Sequence, residues 1–291
     1  MRRSTLIIAA LFFSTTLFAA SDWKDVEQAI GRAGTVLPGD VYKVGFLRTD
    51  LTVVVDGVTI KPALALGSWA AFKRTDKTHV VTMGDLVLLE SEVNTVIDAL
   101  QKGGIEQSAI HNHLIGESPH VMYVHFMAHG DPAKLAQTIH DALALTKTPM
   151  APPAPPPATP PSDDLPTADL DRIIGHAGKI AGGTYQFSLA RAEAIVEHGV
   201  TFPPAMLNIP LNFQPTGNGG AAITGDFVLI ASEVNPVIRA LRQGGIAVTA
   251  LHSHMLAETP RLFFMHFWAN DDAKKLATTL RSALDQVHTQ H

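Results

Sequence analysis

The sequence predicts an α+β protein made of two tandem homologous domains, each with helices packed on a mostly antiparallel sheet. Three observations predict it: an internal duplication, a proline-rich stretch between the copies, and the same alternation of β-like runs and helical spacing in each. A shift of 141 residues aligns Gly84–Asp131 with Gly225–Asp272 without a gap, and 24 of these 48 positions are identical. GDLVLLESEVNTVIDALQKGGI becomes GDFVLIASEVNPVIRALRQGGI, and HNHLIGESPHVMYVHF becomes HSHMLAETPRLFFMHF. The stretch from Pro149 to Pro161 contains eight prolines. Proline fixes φ and removes a donor, so this segment predicts an extended spacer.

The elements follow in order. Residues 1–21 read as a secretory signal peptide: Met1-Arg2-Arg3 supplies positive charge, Leu6 to Phe18 an apolar run, and Ala19-Ala20-Ser21 the small residues of a cleavage site. Residues 22–146 form repeat domain 1, 147–166 the linker and 167–288 repeat domain 2. Asp22 to Ala33 and Ala168 to Ala177 have the apolar spacing of helices. Tyr42–Leu47 and Leu51–Val55 read as strands, with Asp56-Gly57 a turn. Leu86–Leu89 reads as a strand and Thr95–Lys102 as a helix. In the second copy this helix is expected to start at Asn235-Pro236, as cap and first helical residue, and to stop at Gly244-Gly245. Ile105–His113 and Val121–Ala128 predict an antiparallel hairpin, and Asp131-Pro132 caps a last helix.

Composition narrows the function. The chain of 291 residues carries a formal net charge of −5 and no basic block, so nucleic acid is not an expected partner. Cysteine is absent, which excludes disulfides, a catalytic thiol, thiolate ligands and acylation at a lipoprotein cysteine. No transmembrane segment is expected in the mature chain, and the leader predicts a periplasmic or secreted location.

Fourteen histidines are many for this length, and several fall in one window of each copy. The candidate metal ligands are His111, His113, Glu117 and His125 in the first copy and His252, His254, Glu258 and His266 in the second. Residues two apart on a strand share a face, so each His-X-His pair projects both imidazoles together. Three imidazoles and a carboxylate suit a divalent transition metal, zinc foremost, with manganese, iron, nickel or copper as alternatives. Glu117 and Glu258 are either fourth ligands or catalytic general bases. Gly84-Asp85 and Gly225-Asp226 read as turn residues, Asn94 and Asn235 as helix caps, and Glu92 and Glu233 as carboxylates at a strand-to-helix passage that face either solvent or the site. Trp69, Phe72, Phe213 and Trp268 read as core.

The pattern GDxVLxxSEVNxVIxALxxGGI followed by AxHxHxxxExPxxxxxHF, present twice, resembles the LppY/LpqO family of exported bacterial proteins. The resemblance implies a two-copy architecture and an extracytoplasmic location, and it implies no activity. The expected function is an extracytoplasmic metal-binding protein with a His-X-His…Glu…His site in each repeat: three protein ligands and an open position suit a metal-dependent hydrolase of an unknown small molecule, and four protein ligands suit storage, sensing or structural support. The competing expectation is a metal-free protein that binds a cell-envelope component. A third arrangement joins the repeats face to face and pools their histidines in one pocket.

Overall fold

The structure is a computed structural model that describes residues 22–151 and 165–290. The leader, residues 1–21, and most of the proline-rich linker lie outside the described residues. The first repeat runs α1 (Lys24–Ile30), β1 (Thr35–Leu37), β2 (Val41–Leu47), β3 (Val54–Val55), β4 (Val58–Thr59), α2 (Pro62–Ala65), β5 (Gly67–Arg74), β6 (Val80–Leu89), α3 (Glu90–Lys102), β7 (Glu106–His111), β8 (Val121–Gly130) and α4 (Pro132–Leu143). The second repeats this order with α5 (Thr167–Ile174), β9 (Lys179–Ala181), β10 (Thr184–Leu189), β11 (Ile195–Glu197), β12 (Val200–Phe202), β13 (Ile209–Gly217), β14 (Gly220–Ile230), α6 (Ala231–Gln243), β15 (Ala247–His252), β16 (Leu262–Asp272) and α7 (Ala273–Leu284). A 3-10 turn at Pro204–Met206 stands where the first repeat has α2. Each repeat builds one six-stranded sheet, β1-β2-β5-β6-β8-β7 and its counterpart β9-β10-β13-β14-β16-β15, antiparallel throughout.

Both faces of the central strands are covered, which explains why β6 is buried from Val80 to Leu88. On one face Val80, Leu86 and Leu88 of β6 and Val124 and Phe126 of β8 meet Val96 and Leu100 of α3 and Leu135 and Ile139 of α4. The alternate residues Val81 and Met83 face the second repeat and join its core, and Val87 and Tyr123 share a cluster with Ala222 and Trp268. Alternation along a strand separates these two sets. Burying each large apolar side chain contributes about 1.5–3 kcal/mol.

Polar contacts also cross the seam. Lys61 donates its backbone N–H to Gln214 Oε1 (2.7 Å), Gln214 Nε2 donates to the Thr59 carbonyl (2.8 Å), and Trp268 Nε1 donates to Asp56 Oδ2 (2.8 Å). The amide of the buried Gln214 is thus bonded at both ends, so its burial carries no unpaired donor or acceptor. The seam therefore joins the sheets face to face, as the third arrangement requires.

Several boundaries differ from expectation. The turn at Asp56-Gly57 forms with φ of 48° and 79°, but only Val54–Val55 of the expected strand pairs there. Helices α3 and α6 start at Glu90 and Ala231, so Asn94 and Asn235 lie inside them rather than capping them, and Pro236 is internal. The physical reason is the glutamate at the third helical position: Leu89 N–H donates to Glu92 Oε2 (2.9 Å) and Ile230 N–H to Glu233 Oε2 (2.8 Å). The expected Asp131 cap forms by accepting from Lys134 N–H (2.8 Å), and Asp272 repeats it with Lys275 (2.9 Å). Among the described residues no helix is long and apolar enough to cross a membrane.

Candidate metal centre

Strand register sets the site. In the first repeat Asp85 of β6 lies directly opposite His125 of β8, and His125 lies opposite Ala109 of β7; His111 is opposite Tyr123. The second repeat matches it, with Asp226 opposite His266 and His252 opposite Phe264. Side chains directly opposite or two residues along share a face, so Asp85, His125 and His111 all point into the seam. Strand β7 ends at His111, two residues short of expectation, yet His113 still comes to the same place, its ring stacked on Tyr123 at 3.4 Å between centroids.

Gly84 holds Asp85 in position. A side chain there would place its first carbon 2.3 Å from the Trp69 carbonyl oxygen and 2.4 Å from the Phe126 ring, and at Gly225 it would come 2.1 Å from the Pro210 carbonyl oxygen. The retained Gly-Asp pair is therefore a mid-strand feature, not the turn expected from sequence. Asp85 and Asp226 are the site residues that sequence reasoning missed. The available signal was their retention in both copies beside the histidines.

The two repeats bring their histidines together. His111 stacks on His252 with 3.5 Å between ring centroids, His113 on His266 at 3.6 Å, and His125 on His254 at 3.6 Å. Tyr123 and Phe264 flank the outer pairs. Candidate ligand atoms fall into groups of two kinds. Asp85, His113 and His125 form one set within the first repeat, and Asp226, His254 and His266 its counterpart in the second. Two further sets, His111 with His125, His252 and His254, and His111 with His113 and His266, draw on both repeats. The sites expected separately in each copy thus adjoin across the seam. These groups could hold a metal ion.

Burial governs the protonation states. It lowers His111 to about 4 and His252 to about 3, and holds His113, His125, His254 and His266 well below the usual histidine range. Neighbouring imidazoles add to the effect. Burial also raises Asp85 to about 8, and it raises Asp226 well above the carboxylate range with Asp85 adding to it. The imidazoles are therefore neutral at pH 7, with one lone pair each.

Hydrogen bonds assign where several of those lone pairs point. His266 Nδ1 lies 3.0 Å from the Gly225 carbonyl, His111 Nδ1 3.1 Å from that of Asn112, and His252 Nδ1 3.4 Å from that of Ser253. A carbonyl only accepts, so these nitrogens carry the proton and each Nε2 presents a lone pair. The Nε2 atoms of His252 and His266 then face each other at 3.0 Å, two acceptors without a proton between them. Buried atoms without a hydrogen-bond partner among the described residues include Asp85 Oδ1, Asp226 Oδ1 and the Nε2 atoms of His111, His113, His125 and His254. The lone pairs fixed in this way on His111, His252 and His266 meet no donor, which is unfavourable in a protein interior unless a cation satisfies them.

Glu117 and Glu258 are placed differently. Glu258 Oε1 accepts from Leu262 N–H (2.8 Å) and its other oxygen lies 3.3 Å from Arg261; Glu117 Oε1 lies 3.5 Å from Val121 N and 3.4 Å from His120 Nε2. Neither belongs to a histidine ligand group. Glu92 and Glu233 turn away from the centre to buried arginines: Arg48 donates to Glu92 at 2.8 Å and Arg191 to Glu233 at 2.7 Å. Glu193, Glu233 and His288 form a separate acidic group around Arg191. Phe72, Phe213 and Trp268 are core as expected, whereas Trp69 is half-buried and lines a cavity of about 470 Å³ beside the centre. Asp85, Asp226, His113, His254 and His266 form one wall of that cavity.

No curated protein matches the chain. Among solved structures, EtuB from Clostridium kluyveri is similar at 13% identity, covering 87% of this chain and 88% of its own, with a TM-score of 0.21. A trimeric bacterial microcompartment shell protein, PduB, is similar at 12% identity over 86% and 88% of the two chains, with a TM-score of 0.20. The family described as Domain of Unknown Function (DUF1259) matches residues 24–145 and again residues 168–286, one match per repeat. With both repeats accounted for, the chain belongs to the DUF1259 family.

Proposed function

We propose that this is an extracytoplasmic metal-binding protein with a two-ion centre at the seam between its repeats. Asp85, His113 and His125 hold one ion, and Asp226, His254 and His266 the other, with His111 and His252 between them. The observation that carries this reading is the pair of Nε2 atoms of His252 and His266, 3.0 Å apart with both Nδ1 protons committed to carbonyls, so that neither ring can donate to the other. Neutral imidazoles and carboxylates favour a divalent transition metal, zinc first. Asp85 and Asp226 take the carboxylate role that the sequence offered to Glu117 and Glu258, and the two glutamates secure the loops that follow the histidine pairs. A divalent ion bound beside an open cavity supplies Lewis acidity, so metal-assisted hydrolysis of a small molecule is the chemistry this arrangement suits.

Elemental analysis of protein purified without a histidine tag tests the reading. Close to two transition-metal ions per chain are expected. Protein that is metal-free and takes up no zinc, manganese, iron, nickel or copper on reconstitution refutes it.

A further inference from the structure

The cavity beside the centre is not symmetric, although the repeats that enclose it are. Position 43 on β2 corresponds to position 186 on β10, since Tyr42 and Tyr185 each bond the backbone N–H of an equivalent glycine, Gly34 and Gly178. The first repeat has lysine there and the second has glutamine. Gln186 is committed to the seam, donating to the Ala63 carbonyl (2.8 Å) and to Thr184 (2.9 Å). Lys43 is not: its Nζ sits 4.3 Å from the centre of the Trp69 ring, and both residues line the cavity. Among the described residues no hydrogen bond reaches the ammonium, and Asp85, which lines the same cavity, is the acidic group that acts on it. Among the described residues no carboxylate lies within ion-pair distance of it. The side chain is half-buried, and its ammonium stands at the cavity without an anionic partner, so a bound anion supplies the counter-charge. Burial here lowers Lys43 to about 8, so it remains mostly charged at pH 7.

Part of the lining is apolar, with Leu64, Met206 and Leu207. At about 470 Å³ the space has the size of a small-molecule site. A bare inorganic anion would leave that apolar wall unfilled. We propose that the seam cavity binds a small organic carboxylate, its head on Lys43 and its hydrocarbon body against Leu64, Met206 and Leu207. The far end of the molecule then meets Asp85, Asp226 and the histidines. Only that last point rests on the metal reading.

Calorimetric titration of the full chain with hexanoate and phenylacetate, beside the uncharged 2-phenylethanol, tests this. Metal content is measured on the same preparations. At least one carboxylate binds, and the alcohol binds at least about tenfold more weakly. Lys43→Met weakens carboxylate binding by about tenfold or more, while Lys43→Arg stays within about threefold. If Lys43→Met does not fold, as judged by its melting curve, Lys43→Gln replaces it, since the second repeat accepts glutamine at this position. Wild type that binds neither carboxylate, an alcohol that binds as well, or a neutral variant with unchanged affinity overturns the inference. A metal-loaded protein that fails these titrations refutes only the carboxylate site. A metal-free protein that passes them refutes only the metal centre.

Discussion

Replacing Glu92 with alanine separates scaffold from site. The Arg48 side chain is fully buried, and its Nη1 donates to Glu92 Oε2 (2.8 Å) and the Val87 carbonyl (2.7 Å), while Nε donates to Asp50 (2.9 Å). Removing one partner of a buried pair typically costs about 3–5 kcal/mol, because the other charge stays buried and uncompensated. Asp50 and the carbonyl remain in the variant, which sets the cost at the low end, about 3 kcal/mol. Loss of the acceptor for Leu89 N–H adds about 1 kcal/mol. Over a chain of this size about 4 kcal/mol lowers the melting temperature by roughly 8–16 °C. Glu233→Ala lowers it further, since Glu233 is less exposed than Glu92 and its bond from His288 N–H (3.1 Å) is shorter than that of Glu92 from Lys147 N–H (3.5 Å). Calorimetric melting and elemental analysis are run together, and metal content is expected to stay at the wild-type level in the folded variants. A melting point within about 2 °C of wild type would break the argument. So would loss of metal at unchanged stability, which would move Glu92 into the centre.

Four further outcomes are expected. Metal at a hundred times its dissociation constant stabilises the chain by about 2.7 kcal/mol per site, so chelator lowers the melting temperature by roughly 5–11 °C per site, and identical melts with and without chelator contradict a bound ion. Gly84→Ala and Gly225→Ala drive a methyl group against backbone carbonyls, cost about 1–3 kcal/mol or more, and displace the adjacent aspartate; reduced metal content together with a lower melting point is the signature. His252→Ala weakens metal binding at least about tenfold in a chelator competition even when the second repeat's Asp226, His254 and His266 are intact, because its ring is shared with the first repeat; unchanged competition would argue for independent sites. Glu117→Gln keeps the wild-type metal content by elemental analysis, and its loss would return Glu117 to the ligand set.

The histidines were legible because their grouping is local: a His-X-His pair at a strand end and a third histidine on the returning strand meet once the hairpin forms. Doubling of the motif made it conspicuous. Asp85 and Asp226 were not legible in the same way, since they meet His125 and His266 only through the register of β6 with β8 and β14 with β16. A Gly-Asp pair ordinarily marks a turn, and both residues are disfavoured in strands. Here the glycine makes room for a phenylalanine ring on one face while the aspartate occupies the other. Helix starts were misread for a related reason: Glu92 and Glu233 fix the first turn four residues ahead of the asparagines that looked like caps. Tandem organisation followed from the duplication, and fold class from the order of β-like and helical runs in each copy, but which faces of the two sheets meet is set by long-range packing. Buried residues on both sides of β6 and β14 record it only after folding.

The pairing of His111 with His252, and of His113–His266 with its counterpart His125–His254, puts a pseudo-twofold axis through the centre, with a consequence for how such a chain can change. In an assembly of two identical subunits, every substitution near the axis appears twice, on opposite walls, so a ligand meets the same chemistry from both sides. Covalent fusion lifts that constraint. Lys43 can stand on one wall while Gln186 stands at the matching place on the other, as Trp69 opposite Asp85 is matched by Pro210 beside Asp226, and the histidines at the axis remain a pair. A chamber built by doubling can thus acquire a head end and a tail end without either half losing its share of the middle.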